Sequence, residues 1–251
     1  MGKGPAGVQS VTRTFDILGY ITAAETTPSL SEISSAVQIP LPTTHRILQA
    51  LTAMGYVRHV NGRRYGLGPK FITMGETASR QLGAGAHHRL AELAEQLGET
   101  ANMAILDTDM AMYVAQVPSA RSMRMFTEVG RRVHMHATGV GKAILAQLDD
   151  EQVRSIVERA GMPASTTKSL DTLEALLQEL ETARARGYAV DDNEQEIGVR
   201  CLAVGIPKAP NPSAVSVSGP VTRVDADFAE RAVPLLKQVA RDISADITSI
   251  M

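Results

Sequence analysis

Over residues 8–68 the apolar positions recur with helical spacing in three runs and then alternate. Val11, Phe15, Leu18 and Ile21 put one apolar face on a first helix. Ser31 ahead of Glu32, followed by Ile33, Ala36 and Val37, predicts a short capped helix after a loop at 23–29. Ile39-Pro40-Leu41-Pro42 ends it, because a residue before proline avoids helical torsion angles. Pro42 suits the first turn of the next helix, where no N–H is needed. Ile47, Leu48, Leu51 and Met54 give that helix its buried stripe, with Gly55 at its C-terminal end. Thr43, Thr44, His45, Arg46 and Gln49 fall largely on the other side. Residues 56–60 and 63–67 then flank Asn61-Gly62, the preferred pair for a two-residue type I′ hairpin turn. Two short helices followed by a hairpin with arginines at its tip is the order of a winged helix-turn-helix, which makes DNA the first partner to consider.

The pattern changes twice further along. Phe71 to about Leu82 reads as a linker helix, Gly83-Ala84-Gly85 as a hinge, and His88 to Leu97 as another amphipathic helix. From Thr100, apolar runs bounded by turn residues predict a mixed domain. Residues 102–106 and 112–116 form a hairpin across Asp107-Thr108-Asp109, and Ser122 to Val129 alternates as a third strand. Helices are predicted over 139–148, from Asp149 onward, and over 173–186 before Gly187. Strands at 188–190, 199–206 and 213–218 precede a closing helix over 224–250. The chain therefore reads as α+β: a DNA-binding domain at 8–68, a linker helix at 69–86 and an α/β domain at 87–251.

Charge sharpens this division. The net charge is −2 over 251 residues. Residues 1–70 carry seven basic against three acidic side chains, a net +4, so the remainder carries −6. A basic N-terminal module on an acidic body suits a regulator with a separate sensing domain. The single cysteine, Cys201, excludes an internal disulfide framework and fits a reducing compartment. No apolar run approaches the ~18 residues of a membrane span, and no apolar stretch follows the opening residues as in a secretory signal. The expectation is a cytoplasmic protein without a membrane partner. The absence of tryptophan argues against a stacking platform for single strands.

Candidate chemistry lies in the second half. In 134–145, small residues precede a helix whose free N–H groups and dipole suit a small anion. A nucleotide-binding P-loop fails here, because His136 stands where that motif needs glycine and Ala143 where it needs Ser or Thr. Ser216 and Ser218 are two apart on a strand and face the same side. With Cys201, Asp191 and Asp192 they can line one polar cavity. His87-His88 and His134-x-His136 lack a second ligand cluster with zinc spacing, and no local nucleophile–base motif is present. Neither a metal, a cofactor nor a catalytic residue is expected.

Taken together, the motifs resemble the IclR family of bacterial transcription regulators over essentially the whole chain. Residues 8–18 look like its opening helix, Ile39-Pro40 through Thr43-x-His45-Arg46-Ile47-Leu48 like its recognition helix, and Gly55-Tyr56-Val57 with Tyr65-x-Leu67-Gly68 like the bracket of its wing. The stretch 136–143, Asp191-x-x-Glu194, Gly198-x-x-Cys201 and Ser216-Val217-Ser218-Gly219-Pro220 match its effector domain. The resemblance implies a winged helix-turn-helix, a linker helix and a GAF-like α/β effector domain. It implies operator contacts from Thr43, Thr44, His45 and Arg46, with Arg58, Arg63 and Arg64 on phosphate or in the minor groove. One departure concerns Leu41 and Pro42, where many members carry Lys and Ser, so any contact made by those two is absent.

Within the family, the effector half is most similar to repressors of allantoin and glyoxylate utilisation. The resemblance then implies that the Gly139 and Val140 amides hold a carboxylate. Asp191, Val199, Cys201, Ser216 and Ser218 form the other side, and methionines near Met123, Met125 and Met135 close it. The implied protein is not an enzyme. It is a regulator, a repressor in the preferred reading, acting as a homodimer or homotetramer on double-stranded operator DNA and answering to a small organic acid such as glyoxylate. The rivals are an enzyme converting small carboxylates and an interaction module whose basic wing meets acidic partners.

Overall fold

The computed structural model describes residues 8–81, 86–125 and 127–250. The expected hinge at 83–85 lies outside them. The chain forms two compact units, 1–78 and 79–251, and the division falls within a helix.

The first unit holds α1 (Gln9–Ala23), α2 (Leu30–Ala36), α3 (Leu41–Ala53), the hairpin β1 (Val57–Val60) and β2 (Arg64–Leu67), and the start of α4 (Lys70–Gln81). Its core joins Ile17, Leu18, Ile21, Ile33, Leu48 and Leu51 to Val57 and Tyr65 of the hairpin. Three details depart from the sequence expectation. The cap of α2 is Ser29, not Ser31: its hydroxyl accepts from the Glu32 N–H while Glu32 reaches back to the Ser29 N–H at 2.6 Å. This reciprocal box starts the helix earlier. Val11, Phe15 and Met54 are exposed rather than buried, because Ile17 occupies the inward face of α1 and α3 ends just after Leu51. The wing turn has three residues, with Val60 paired to Arg64. Asn61 and Gly62 both take positive φ, as a type I′ pair would, but Arg63 joins the turn. The cause lies in β2, whose Tyr65 N–H donates to the Pro28 carbonyl at 2.8 Å and whose Arg64 bridges to Ser29.

In the second unit, a six-stranded antiparallel sheet runs in the order β5-β4-β3-β8-β7-β6. The strands are β3 (Thr100–Asp107), β4 (Met110–Val117), β5 (Arg132–Val133), β6 (Ala189–Asp192), β7 (Val199–Gly205) and β8 (Ser213–Pro220). The described residues of 122–129 form no strand, because the chain leaves the sheet after β4 and rejoins it only at β5. Side chains alternate between the two faces. Met103, Ile105, Leu202, Val204, Val215 and Val217 pack against α5 (His87–Leu97) and α9 (Ala226–Ile250). Ala104, Ala203 and Ala214 face α6 (Gly139–Leu145), α7 (Asp150–Ala160) and α8 (Leu173–Arg186).

Small residues let α6 lie close. Every residue of this helix is buried. A Cβ on Gly139 would stand 2.8 Å from the Cys201 Sγ, and one on Gly141 would overlap the Met135 backbone. Gly141→Ala is therefore expected to lower unfolding stability by at least the ~1–3 kcal/mol typical of overpacking. Urea denaturation followed by circular dichroism checks this; an unchanged midpoint would show that the turn before α6 yields freely.

Candidate DNA-reading surface and effector site

Helix α3 starts from Pro40, with Pro42 in its first turn. Leu41, Pro42, His45, Arg46 and Gln49 are exposed and Thr43 is half-buried. Thr44 corrects the expected contact set. It is fully buried, and its hydroxyl lies within donating distance of the Ile39 and Pro40 carbonyls, at 3.2 and 3.3 Å. One helical turn before the buried Leu48, it faces the core and ties α3 to the preceding turn. Arg46 sits with Ile47, Ala50 and Met54 on one edge of an apolar groove of about 590 Å3, which Phe15 and Phe71 also line.

The wing arginines divide. Arg63 is exposed in the turn. Arg58 is exposed on β1 and donates to the Leu67 carbonyl at 3.3 Å. Arg64 is half-buried, donates from Nη1 to the Thr27 carbonyl and stands 3.6 Å from the Glu32 carboxylate. It fastens the wing to the loop before α2, which leaves Arg58 and Arg63 as the wing's exposed guanidinium groups.

In the second unit, Gly139, Val140, Asp191, Val199, Cys201, Ser216 and Ser218 converge on the α6 face, whereas Asp192 alternates to the other face, is exposed and accepts from Arg200. Asp191 pairs with Cys201, Cys201 with Ser218, and Ser218 with Thr100, one row across four strands. Gly139 lies against Cys201, and the Thr138 hydroxyl caps α6 by accepting from the Gly141 N–H at 3.2 Å. Ser216 occupies the next same-face position of β8, and Val199 is half-buried at the start of β7. Ser218, like Ser216, lies near enough to the Cys201 thiol to favour its ionisation against the burial that raises its pKa. The Ser216 Oγ has no partner of hydrogen-bonding geometry among the described residues. Of the expected lid methionines, Met135 is buried, Met125 half-buried and Met123 exposed. Among the described residues, no three His, Cys, Asp or Glu side chains are placed to hold a metal ion, and no helix is long and apolar enough to cross a membrane.

Sequence reasoning passed over three groups on this face. Lys142 is fully buried and donates to Glu194 at 2.5 Å, with Glu179 at 3.7 Å. Tyr113 lies near Asp191 and Cys201, and its phenol is pushed well above its ordinary range, chiefly by burial. Asn102, wholly buried on β3, and Gln116, half-buried beside it on β4, share the face with Ser216. The available signal was polar residues at same-face positions of otherwise apolar strands.

A winged helix-turn-helix with exposed cations, attached to an α/β unit with a polar buried face, defines a DNA-binding regulator with an effector domain. The chain belongs to the IclR family. Residues 10–61 match the IclR helix-turn-helix domain and residues 75–245 the bacterial transcriptional regulator IclR C-terminal domain. The transcriptional repressor IclR of Escherichia coli (strain K12) is 36% identical over 244 residues, covering 94% of this chain and 89% of that protein. The HTH-type transcriptional repressor AllR of the same organism is 32% identical over 243 residues, covering 95% and 90%. The solved structure of Thermotoga maritima IclR has a TM-score of 0.80 at 27% identity, covering 95% of this chain and 98% of that one. These relatives are transcription regulators, and the enzyme reading falls.

Asp191 sets the electrostatics of the site. Burial pushes its carboxyl up from 3.8 to about 7, the nearby Glu194 carboxylate adds to this, and the N–H groups of Glu194 and Gln195 with Lys142 oppose it. An acid whose pKa is higher in the fold than in the unfolded chain takes up a proton on folding. Its contribution to stability therefore falls as pH rises from about 3.8 and is fully lost above about 7. Asp191→Asn keeps the Oδ1 that accepts from Glu194 and removes the titration. Its melting temperature is expected to gain on the wild type by several degrees more at about pH 8 than at about pH 5. Equal differences at both pH values, measured by scanning calorimetry, would show that Asp191 does not titrate in this range.

Proposed function

We propose that the protein is a transcriptional repressor whose α3 and wing read operator DNA and whose release is set by a small organic acid such as glyoxylate. Thr43, His45 and Arg46 contact base edges in the major groove; Arg58 and Arg63 bind phosphate or enter the minor groove. Gln49 belongs to the same exposed surface. The acid sits against Gly139 and Val140, with Asp191, Val199, Cys201, Ser216 and Ser218 opposite. The observation that carries this reading is the single row Asp191–Cys201–Ser218 beneath the first residues of α6. Those residues supply helix N–H groups without intrahelical partners, and the strands supply hydroxyl donors. A raised Asp191 carboxyl, about half protonated near neutrality, donates in its neutral form to an oxo group instead of repelling an anion.

The functional form is a homodimer, or a pair of dimers, acting on chromosomal DNA in the cytoplasm. A dimer reads a pseudo-palindrome with half-sites about one helical turn, or a multiple of it, apart. The open apolar groove beside α1, with Phe15 66% exposed, supports association of copies through the first unit. To act, the acid must favour one arrangement of two DNA-binding units over another.

Titration of the full chain onto its own upstream intergenic DNA by fluorescence anisotropy, with and without glyoxylate and pyruvate, tests this. Specific binding that one acid weakens is the expected result; specific binding indifferent to every acid removes the effector assignment. Arg46→Ala is expected to weaken operator binding by ~1–3 kcal/mol, and unchanged affinity would take Arg46 out of the base contacts. Ser218→Ala is expected to lose the acid response while DNA affinity survives; a normal response curve in the same assay would remove Ser218 from the site.

A further inference from the structure

The α6 face carries a second polar row beside the first. In the first row, Asp191 accepts from the Glu194 and Gln195 N–H groups, and Thr100 accepts from the Ser119 N–H. One same-face step along the strands, Ser216 of β8, Asn102 of β3 and Gln116 of β4 are consecutive register pairs. This row is unpaired. Neither Oδ1 nor Nδ2 of Asn102 has a hydrogen-bond partner among the described residues, nor has Nε2 of Gln116 or Oγ of Ser216. Asn102 and Ser216 are both 0% exposed. A buried polar atom left unbonded destabilises the fold, and an apolar residue at the same position would avoid that cost. Side chains directly opposite on paired strands are close enough to bond one another, yet these do not.

We propose that Asn102, Gln116 and Ser216 form a specificity subsite for a neutral donor–acceptor group of the effector, a hydroxyl or an amide. The effector is then a hydroxy- or ureido-carboxylate longer than a bare oxo-acid. This rests on the carboxylate reading of the first row. The amide N–H groups of Asn102 and Gln116 need an acceptor. The Asn102 Oδ1 needs a donor, which a carboxylate or keto oxygen cannot supply. Only a group that both donates and accepts satisfies the row. Same-face positions along a strand are about 7 Å apart, so one molecule reaches both rows with a chain of roughly four to six heavy atoms. Glyoxylate fills the first row and reaches no farther than Ser216 of the second, leaving Asn102 and Gln116 without a partner.

Isothermal titration of the full chain with four acids tests this: glyoxylate, succinate, D-gluconate and N-carbamoylglycine. Gluconate or N-carbamoylglycine is expected to bind at least ten-fold tighter than glyoxylate and succinate, and which of them does so separates a hydroxyl from an amide. Asn102→Ala is expected to erase that advantage while glyoxylate affinity changes less than two-fold. Gln116→Leu, at a half-buried position, is expected to do the same in part and serves if Asn102→Ala fails to fold. Equal affinity for all four acids overturns the subsite, as does a loss for glyoxylate as large as for the longer acid. Ser218→Ala weakening every acid together supports the row on which the subsite depends. No binding of any acid to the wild type overturns the carboxylate reading and the subsite with it.

Discussion

The close seating of α6 on the sheet is the constraint on which the second unit depends. Gly139 leaves room for the Cys201 thiol and Gly141 for the Met135 backbone. Only because neither carries a side chain can the helix start directly above the strands. The seating buries all seven residues of α6 and so places the Lys142 side chain inside the protein. A buried ammonium needs a partner, and Glu194 supplies one from the turn after β6. That same turn is held by Asp191, whose Oδ1 takes the Glu194 and Gln195 N–H groups. Helix packing, the ion pair and the Asp191 carboxyl are therefore one connected piece.

The architecture was largely legible in the chain, because most elements are encoded locally. Helical spacing, prolines at 40 and 42 and the Asn61-Gly62 pair mark the first unit, and apolar runs bounded by turn residues mark five of the six strands of the second unit's sheet. Where the reading failed, tertiary context decided. Ser29 rather than Ser31 caps α2, because a capping box needs Glu32 three residues on. Residues 122–129 alternate like a strand but have no neighbouring strand to pair with. Thr44 looks like a surface threonine by composition, and only its place one turn before Leu48 buries it.

The polar face beneath α6 was legible in part, for a related reason. Asp191, Cys201, Ser216 and Ser218 come from three strands distant in sequence, and motif spacing identified them. Asn102 and Gln116 belong to no motif. Their relation to Ser216 exists only through register, since a shift of one residue in β3 would turn Asn102 to the opposite face. The bulge between Met103 and Ala104 shifts that register on β4, bringing Tyr113 opposite Ala104. Such a displacement leaves no mark in a linear sequence.

The wing is not a free flap. Its second strand is bonded to the Pro28 carbonyl, and Arg64 is anchored at Thr27 and Glu32. Helix α3 and the turn at 61–63 are consequently held in one packed unit, a single reader in the function proposed above. An operator for such a reader has an inflexible grammar within each half-site: the bases under α3 and the phosphates under the turn stay at one separation. An inserted base pair inside a half-site breaks the match, whereas freedom in spacing, wherever it exists, resides in how two readers are joined.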